Sequence, residues 1–176
     1  MNKNIFTTKF ITISLLILFA ALCRIVTNNL HIWNFTPLVA VCLFSAARLK
    51  DWRTAFVVPM AAMLISDLAL GLSPAYYIYL IMILITLIGF SLNENSTGVK
   101  MVFTAGISSV LFFLISNLVV WMQSPELAKN GIGLMDCYTM ALPFYKNQIA
   151  GDLFYMLFLF GTFELLKTKA PKLVQG

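Results

Sequence analysis

Long apolar segments separated by short polar clusters are the main pattern of this chain. A membrane-spanning helix needs roughly 20 apolar residues at about 1.5 Å of rise per residue, and six segments approach that length. None alternates strictly between apolar and polar residues, as the strands of a membrane β-barrel do. The pattern predicts an all-α integral membrane protein, a single compact bundle of six transmembrane helices over residues 1–176. The predicted spans are 10–26, 33–47, 54–71, 75–92, 102–122 and 145–166.

Local sequence features predict the start of the second helix, one long loop and the nature of the N-terminal segment. In the second segment, Thr36 suits the N-cap and Pro37 suits the first helical position. Residues 123–146 are predicted as a long outer loop, with a short interfacial helix over 134–142 as an alternative. The basic N-terminus before an apolar run resembles a signal peptide, but Leu22 and Arg24, on either side of Cys23, favour a first span instead.

Composition supports the membrane assignment. Hydrophobic residues make up 60% of the chain and charged residues only 11%, whereas soluble domains average about 25% charged residues. This balance argues against a soluble enzyme, a disordered chain and a secreted disulfide scaffold. The net charge is +5, but the basic residues lie in short clusters between apolar segments. We therefore predict contact with a lipid bilayer and no nucleic-acid partner.

The distribution of lysine and arginine predicts the orientation. Nine of the twelve lie at the termini and in the second and fourth connections, which share one side of a six-span bundle. Short cytoplasmic loops carry such an excess, so both termini are predicted to be cytoplasmic, in a bacterial inner membrane. The nine inner residues are Lys3, Lys9, Arg48, Lys50, Arg53, Lys100, Lys167, Lys169 and Lys172; the outer ones are Arg24, Lys129 and Lys146.

Four polar residues fall at a similar depth, in the outer third of four different segments. They are Arg24, Asp67, Asn117 and Asp152. Polar groups in hydrocarbon are energetically costly and often functional. Apolar-walled cavities with a few placed polar groups are the usual form of a small-molecule site. The coincidence of depth therefore predicts an outward-facing cavity between the helices.

Other interpretations of the same residues remain open. The polar groups could join helices structurally, with Arg24 in an ion pair. Asp67 and Asp152 could instead be the acid and base of a membrane-embedded enzyme. Trp33 and Trp121 suit an interfacial aromatic belt as well as a ligand wall. The single histidine, His31, leaves no zinc motif, and no phosphate-binding glycine loop is present. We predict a non-enzyme without metal or cofactor.

Several short motifs resemble a bacterial family of transport proteins of unknown substrate. That family is similar to the substrate-binding S components of energy-coupling-factor vitamin transporters. The resemblance covers residues 24–164 and is carried by Arg24, Asn34–Leu38 with Ala40, Leu43–Ala47, Val58–Asp67, Leu70–Gly71, Ser116–Asn117, Cys137–Tyr138, Ala141–Phe144 and Gly151–Asp152.

The resemblance implies an S-component-like six-helix fold and uptake of a vitamin-like micronutrient. It also implies a separate ATP-hydrolysing module as partner, although the first segment has Ala20-Ala21 without the A-x-x-x-A stripe through which many S components dock. We expect Arg24 and Asn34 to hold an anionic or carbonyl group of the ligand. We expect Trp33, Trp121 and Tyr138 to form apolar walls of the site. The predicted substrate-binding residues are Arg24, Asn34, Asp67, Asn117, Asn147, Asp152, Trp33, Trp121 and Tyr138.

Overall fold

The computed structural model describes residues 3–49, 51–93 and 95–169. Within these ranges the chain forms six α-helices, so the predicted all-helical fold with six helices is confirmed. Four of them, α1, α3, α5 and α6, are long and apolar enough to cross a membrane. The helices are α1 (Lys3–Asn29), α2 (Leu38–Arg48), α3 (Trp52–Ala69), α4 (Tyr76–Gly89), α5 (Gly98–Gln123) and α6 (Gly131–Lys169).

Helix α2 is the centre of the bundle. Its residues from Leu38 to Ala46 are all buried, as expected for a helix that is apolar on every side. It packs against α3, α4, α5 and α6, while α1 lies against α3. The backbones of α2 and α4 come close at Gly89, where a Cβ atom would lie 2.8 Å from that of Ala46.

The outer helices expose large apolar side chains around the bundle. On α1, Leu15, Leu18 and Leu22 are each more than half exposed, and the same holds for Leu68 on α3 and Leu157 on α6. A soluble monomer rarely exposes a continuous apolar surface of this kind. Hydrocarbon chains are the environment that suits such a surface.

The start of α2 corrects one prediction. The span was expected over 33–47 with Thr36 as N-cap, but the helix starts at Leu38 and Pro37 takes the cap position without a side-chain cap. Asn34 has a φ of 65°, which is left-handed backbone and incompatible with a continuing helix. The chain before Pro37 is therefore a loop.

The length of α6 corrects a second prediction. Residues 131–144, before the predicted sixth span, were expected within a long loop, with a short interfacial helix over 134–142 as the alternative. They form the first part of a 39-residue helix instead. Asn130 caps this helix, because its Oδ1 accepts a hydrogen bond from the backbone nitrogen of Gly133 at 2.9 Å. Pro143 lies inside the helix. A proline removes one backbone hydrogen bond, which a well-packed helix tolerates.

Candidate functional site

A cavity of about 290 Å³ lies at the end of the bundle where α2 and α4 begin. Helix α2 has 11 residues and is therefore only about 16 Å long. Leu38 and Val39, its first two residues, line the cavity. The short central helix thus leaves space that the longer outer helices surround.

All six helices and the loop before α2 contribute to the cavity wall. Polar side chains come from every one of these elements except α2 and α3, and four aromatic rings come from α4, α5 and α6. The lining residues are Arg24, Asn34, Thr36, Leu38, Val39, Met63, Tyr77, Ile78, Phe112, Phe113, Ser116, Asn117, Val120, Ala141, Phe144, Gln148 and Asp152.

Arg24 is held by α3 at the cavity edge. Its Nη2 lies 2.7 Å from Asp67 Oδ1, and its Nη1 donates to Ser66 Oγ at 2.6 Å. The other Asp67 oxygen, Oδ2, accepts from the Tyr79 hydroxyl at 3.0 Å. Both oxygens of Asp67 are therefore occupied, and the charge of Arg24 is balanced within the protein.

Unlike Asp67, Asp152 on α6 has a carboxyl oxygen without a hydrogen-bond partner among the described residues. This oxygen is the buried Oδ2; the residue lines the cavity and is only 2% exposed. Ser109 and Gln148 are its polar neighbours. The Gln148 amide nitrogen donates to the backbone oxygen of Ser109 at 2.9 Å and to its Oγ at 3.2 Å. A buried carboxyl oxygen without a partner is costly unless a ligand or water occupies the adjacent space.

Asn117 on α5 lines the cavity with an acceptor, its Oδ1, that no hydrogen bond within the described residues uses. Its Nδ2 donates to the backbone oxygen of Phe113 at 2.8 Å, which fixes the orientation of the amide because a carbonyl oxygen accepts only from the NH₂ end. Ser116 also donates to that Phe113 oxygen, at 3.4 Å. These two side chains therefore use donors within α5.

The loop before α2 is positioned against α6. Gly151 lies so close to it that a Cβ atom there would be 3.1 Å from the Phe35 Cα and 3.2 Å from the Thr36 nitrogen. Four residues earlier, Asn147 Nδ2 donates to the backbone oxygen of Trp33 at 3.2 Å. These contacts hold Asn34 at the cavity wall.

The structure brings some of the predicted residues together and places others elsewhere. Arg24, Asn34, Asn117 and Asp152 line the cavity. Asp67 lies behind Arg24 as its ion-pair partner, and Asn147 secures the loop. Among the nine predicted residues, these two and the three aromatic ones are not part of the lining.

The three predicted aromatic residues have other neighbours. Trp121 Nε1 donates to the backbone oxygen of Ala128 at 3.0 Å, and the Tyr138 hydroxyl donates to that of Leu114 at 2.7 Å. Trp33 packs its ring edge-on against His31. The rings that line the cavity were not in the predicted set: Tyr77, Phe112, Phe113 and Phe144.

The site holds oxygen and nitrogen groups suited to an organic ligand rather than to a metal. Within residues 3–49, 51–93 and 95–169, no three His, Cys, Asp or Glu side chains come together as metal ligands would. Asp152 is the acidic residue of the lining and Arg24 the basic one. The arrangement can hold a small molecule by hydrogen bonds and by contact with aromatic rings.

Comparison with known proteins finds one family. A family model described as "Family of unknown function (DUF6580)" matches residues 4–173, which is nearly the whole chain. None of the curated proteins and none of the solved structures matches it.

Proposed function

The chain belongs to the DUF6580 family of unknown function, and we propose that it is a membrane uptake protein. It binds a small, ring-bearing, vitamin-like micronutrient in the cavity and passes it inward. Its six helices lie in a bacterial inner membrane, with both termini in the cytoplasm and the cavity facing outward. An S component of an energy-coupling-factor transporter is the kind of protein that works in this way.

The distribution of charge supports this orientation. The cavity lies at the N-terminal ends of α2 and α4. Arg48, Arg53 and Lys100 lie at the other end, in the last residue of α2 and the first turns of α3 and α5. Positive residues concentrate on the cytoplasmic side of membrane proteins, which supports an external position for the cavity end.

The buried Asp152 is the observation that carries the binding proposal. Its Oδ2 is buried without a partner among the described residues, and Asp152 lines the cavity together with four aromatic rings. The volume of about 290 Å³ is just below the range for small-molecule sites, about 300–1,000 Å³. A molecule of one or two rings is the matching size.

Inward release requires the helices to move. Nine consecutive buried residues of α2, Leu38 to Ala46, separate the cavity from the opposite end of the bundle. A packed helix does not leave a path for a solute. A separate ATP-hydrolysing module is the proposed source of the energy for this movement, since the chain has no phosphate-binding glycine loop of its own.

A structural role for part of the polar cluster is the second candidate. The contacts of Arg24 and Asp67 favour it, because Ser66 and Tyr79 complete their hydrogen bonding without a ligand. The enzymatic alternative needs Asp67 and Asp152 on one substrate. Only Asp152 lines the cavity.

Mass spectrometry of the purified protein tests the binding proposal. We expect the wild-type protein to release a small molecule on denaturation, and Ala141→Phe, which fills the cavity, to release much less. Ala150→Phe is the matched control: it places the same ring on an exposed position of α6 outside the cavity. Equal release from all three proteins, or release from none, would contradict the proposal.

Reporter fusions test the orientation. C-terminal green fluorescent protein should fluoresce in bacteria and C-terminal alkaline phosphatase should be inactive, because the first needs the cytoplasm and the second the periplasm. Alkaline phosphatase inserted after Ser124, between α5 and α6, should be active. The reverse result would place the cavity on the cytoplasmic side.

A further inference from the structure

Two polar side chains of the cavity wall, Asp152 and Asn117, present hydrogen-bond acceptors. Asp152 Oδ2 lacks a partner among the described residues. Asn117 donates within α5, which leaves its Oδ1 as an acceptor for a ligand. Gln148 donates to Ser109 and neighbours the Asp152 carboxyl, so it is engaged within the protein. A ligand that complements Asp152 and Asn117 has to donate hydrogen bonds.

The charge of the cavity also favours a ligand that donates hydrogen bonds. Arg24 is balanced by Asp67 at 2.7 Å, and the other oxygen of Asp67 accepts from the Tyr79 hydroxyl. Asp152 Oδ2 has no hydrogen-bond partner, and hence no cation, among the described residues. The net charge of these three ionisable groups is therefore negative when both carboxyls are ionised. A buried carboxylate is stabilised by a cation that both pairs with it and donates to it.

The aromatic lining favours the same class of ligand. The cavity wall contains four aromatic rings beside its polar groups: Tyr77, Phe112, Phe113 and Phe144. Aromatic faces attract cations and stack against flat rings. A planar ring that carries a positive nitrogen uses both properties at once.

We infer that the ligand is a compact one- or two-ring nitrogen base whose cationic, N–H-bearing group meets Asp152, with Asn117 as a further acceptor. This inference rests on the proposed function and specifies its substrate class. It reverses the expectation that Arg24 holds an anionic group of the ligand, because Arg24 already has a carboxylate partner.

The cavity also has features that would favour an anionic ligand. Helix α2 starts at the cavity without a side-chain cap, and the N-terminus of a helix favours negative charge. An anionic ligand could use this end of α2 together with Arg24. Asp152 lines the same cavity and supplies a negative group there, so a second anion would meet repulsion.

Three probes of nearly identical shape separate these classes: benzamidine, benzamide and benzoate, which are cationic, neutral and anionic. Each is titrated into the full-length, detergent-purified protein by calorimetry, after the detergent wash that removes co-purified molecules. We expect benzamidine to bind at least about tenfold more tightly than benzoate, since a hydrogen bond to a charged group is worth about one to two orders of magnitude in affinity. Equal or tighter binding of benzoate, or no binding of benzamidine, would overturn the inferred class.

Two substitutions locate the effect. Asp152→Asn keeps the shape of the side chain and should weaken benzamidine binding by about tenfold or more, while benzamide binding changes little. Asp136→Asn, the same change at an exposed position of α6, should have no effect. If Asp152→Asn does not fold, Asn117→Leu gives the second test and should weaken benzamidine binding several-fold. Unchanged benzamidine affinity in the folded variant refutes the inference.

The failure of this inference is distinguishable from the failure of the proposed function. If benzoate is preferred but Ala141→Phe still abolishes co-purification, the cavity binds a molecule of another class. If no small molecule co-purifies with the wild-type protein, the uptake proposal itself fails.

Discussion

Arg24 on α1 and Asp67 on α3 form an ion pair of 2.7 Å, with side chains that are 13% and 3% exposed. Asp67 also accepts from Tyr79 of α4. The pair therefore joins three helices at the edge of the cavity. Its charges cancel, which leaves Asp152 as the ionisable group of the lining that a ligand can pair with.

Replacing Asp67 by alanine should strongly destabilise the protein. Arg24 would be left as a nearly buried charge without its carboxylate, and breaking a buried pair in this way costs about 3–5 kcal/mol. Thermal unfolding in detergent measures the effect. The double variant Arg24→Met, Asp67→Leu should recover much of the loss, since neither charge then remains. A double variant as unstable as Asp67→Ala would contradict this account.

The close contact of α2 and α4 predicts a large effect of one methyl group. In Gly89→Ala the new Cβ would lie 2.8 Å from the Ala46 Cβ and 3.1 Å from the Leu43 Cα. Such overpacking costs about 1–3 kcal/mol. Gly106→Ala on α5 meets nothing within 4 Å and should stabilise the helix by up to about 1 kcal/mol. Melting temperatures of the two variants should move in opposite directions; a shared direction would exclude the contact as the cause.

The alternation of apolar runs and polar clusters along the sequence is sufficient to predict the six helices. Apolar runs give the six helices, and a polar residue within such a run marks Arg24, Asn117 and Asp152 as special because its burial is costly. The beginning of α6 is missed because Pro143 and nearby polar residues are equally typical of a loop. Its cap, Asn130, is the signal that could have located it.

The aromatic cavity wall is harder to predict from sequence. Phe112 and Phe113 lie in a continuous apolar run, and a helix without a polar face gives no indication of which side meets lipid and which meets a cavity. The cavity itself depends on the length of α2, which in turn depends on the left-handed backbone at Asn34. The orientation of the aromatic rings and the extent of the cavity are therefore set by tertiary packing, which the sequence pattern does not reveal.

The contact between Gly151 and the loop before α2 should matter for binding more than for stability. A Cβ atom in Gly151→Ala would push against backbone atoms of Phe35 and Thr36 at 3.1–3.3 Å, and so would move Asn34 at the cavity wall. We expect at least a severalfold loss of benzamidine affinity, measured by calorimetry. Gly161→Ala, on the same helix with open space around it, is the control and should bind normally. Equal affinities would mean that the loop does not shape the site.

At the opposite end of the bundle, Arg48 should contribute through packing rather than through its ion pair. Its side chain is 1% exposed, whereas that of its partner Glu164, 3.3 Å away, is 47% exposed. Its guanidinium also lies over the Phe160 ring at 4.9 Å and donates to the backbone oxygen of Asn93 at 3.0 Å. Half-exposed ion pairs contribute about 0–1 kcal/mol, so Glu164→Gln should barely change the melting temperature. Arg48→Lys loses the planar stacking and one of the two donors and should cost about 1–3 kcal/mol. A larger effect of Glu164→Gln than of Arg48→Lys in thermal unfolding would reverse this ranking and make the ion pair the dominant contact.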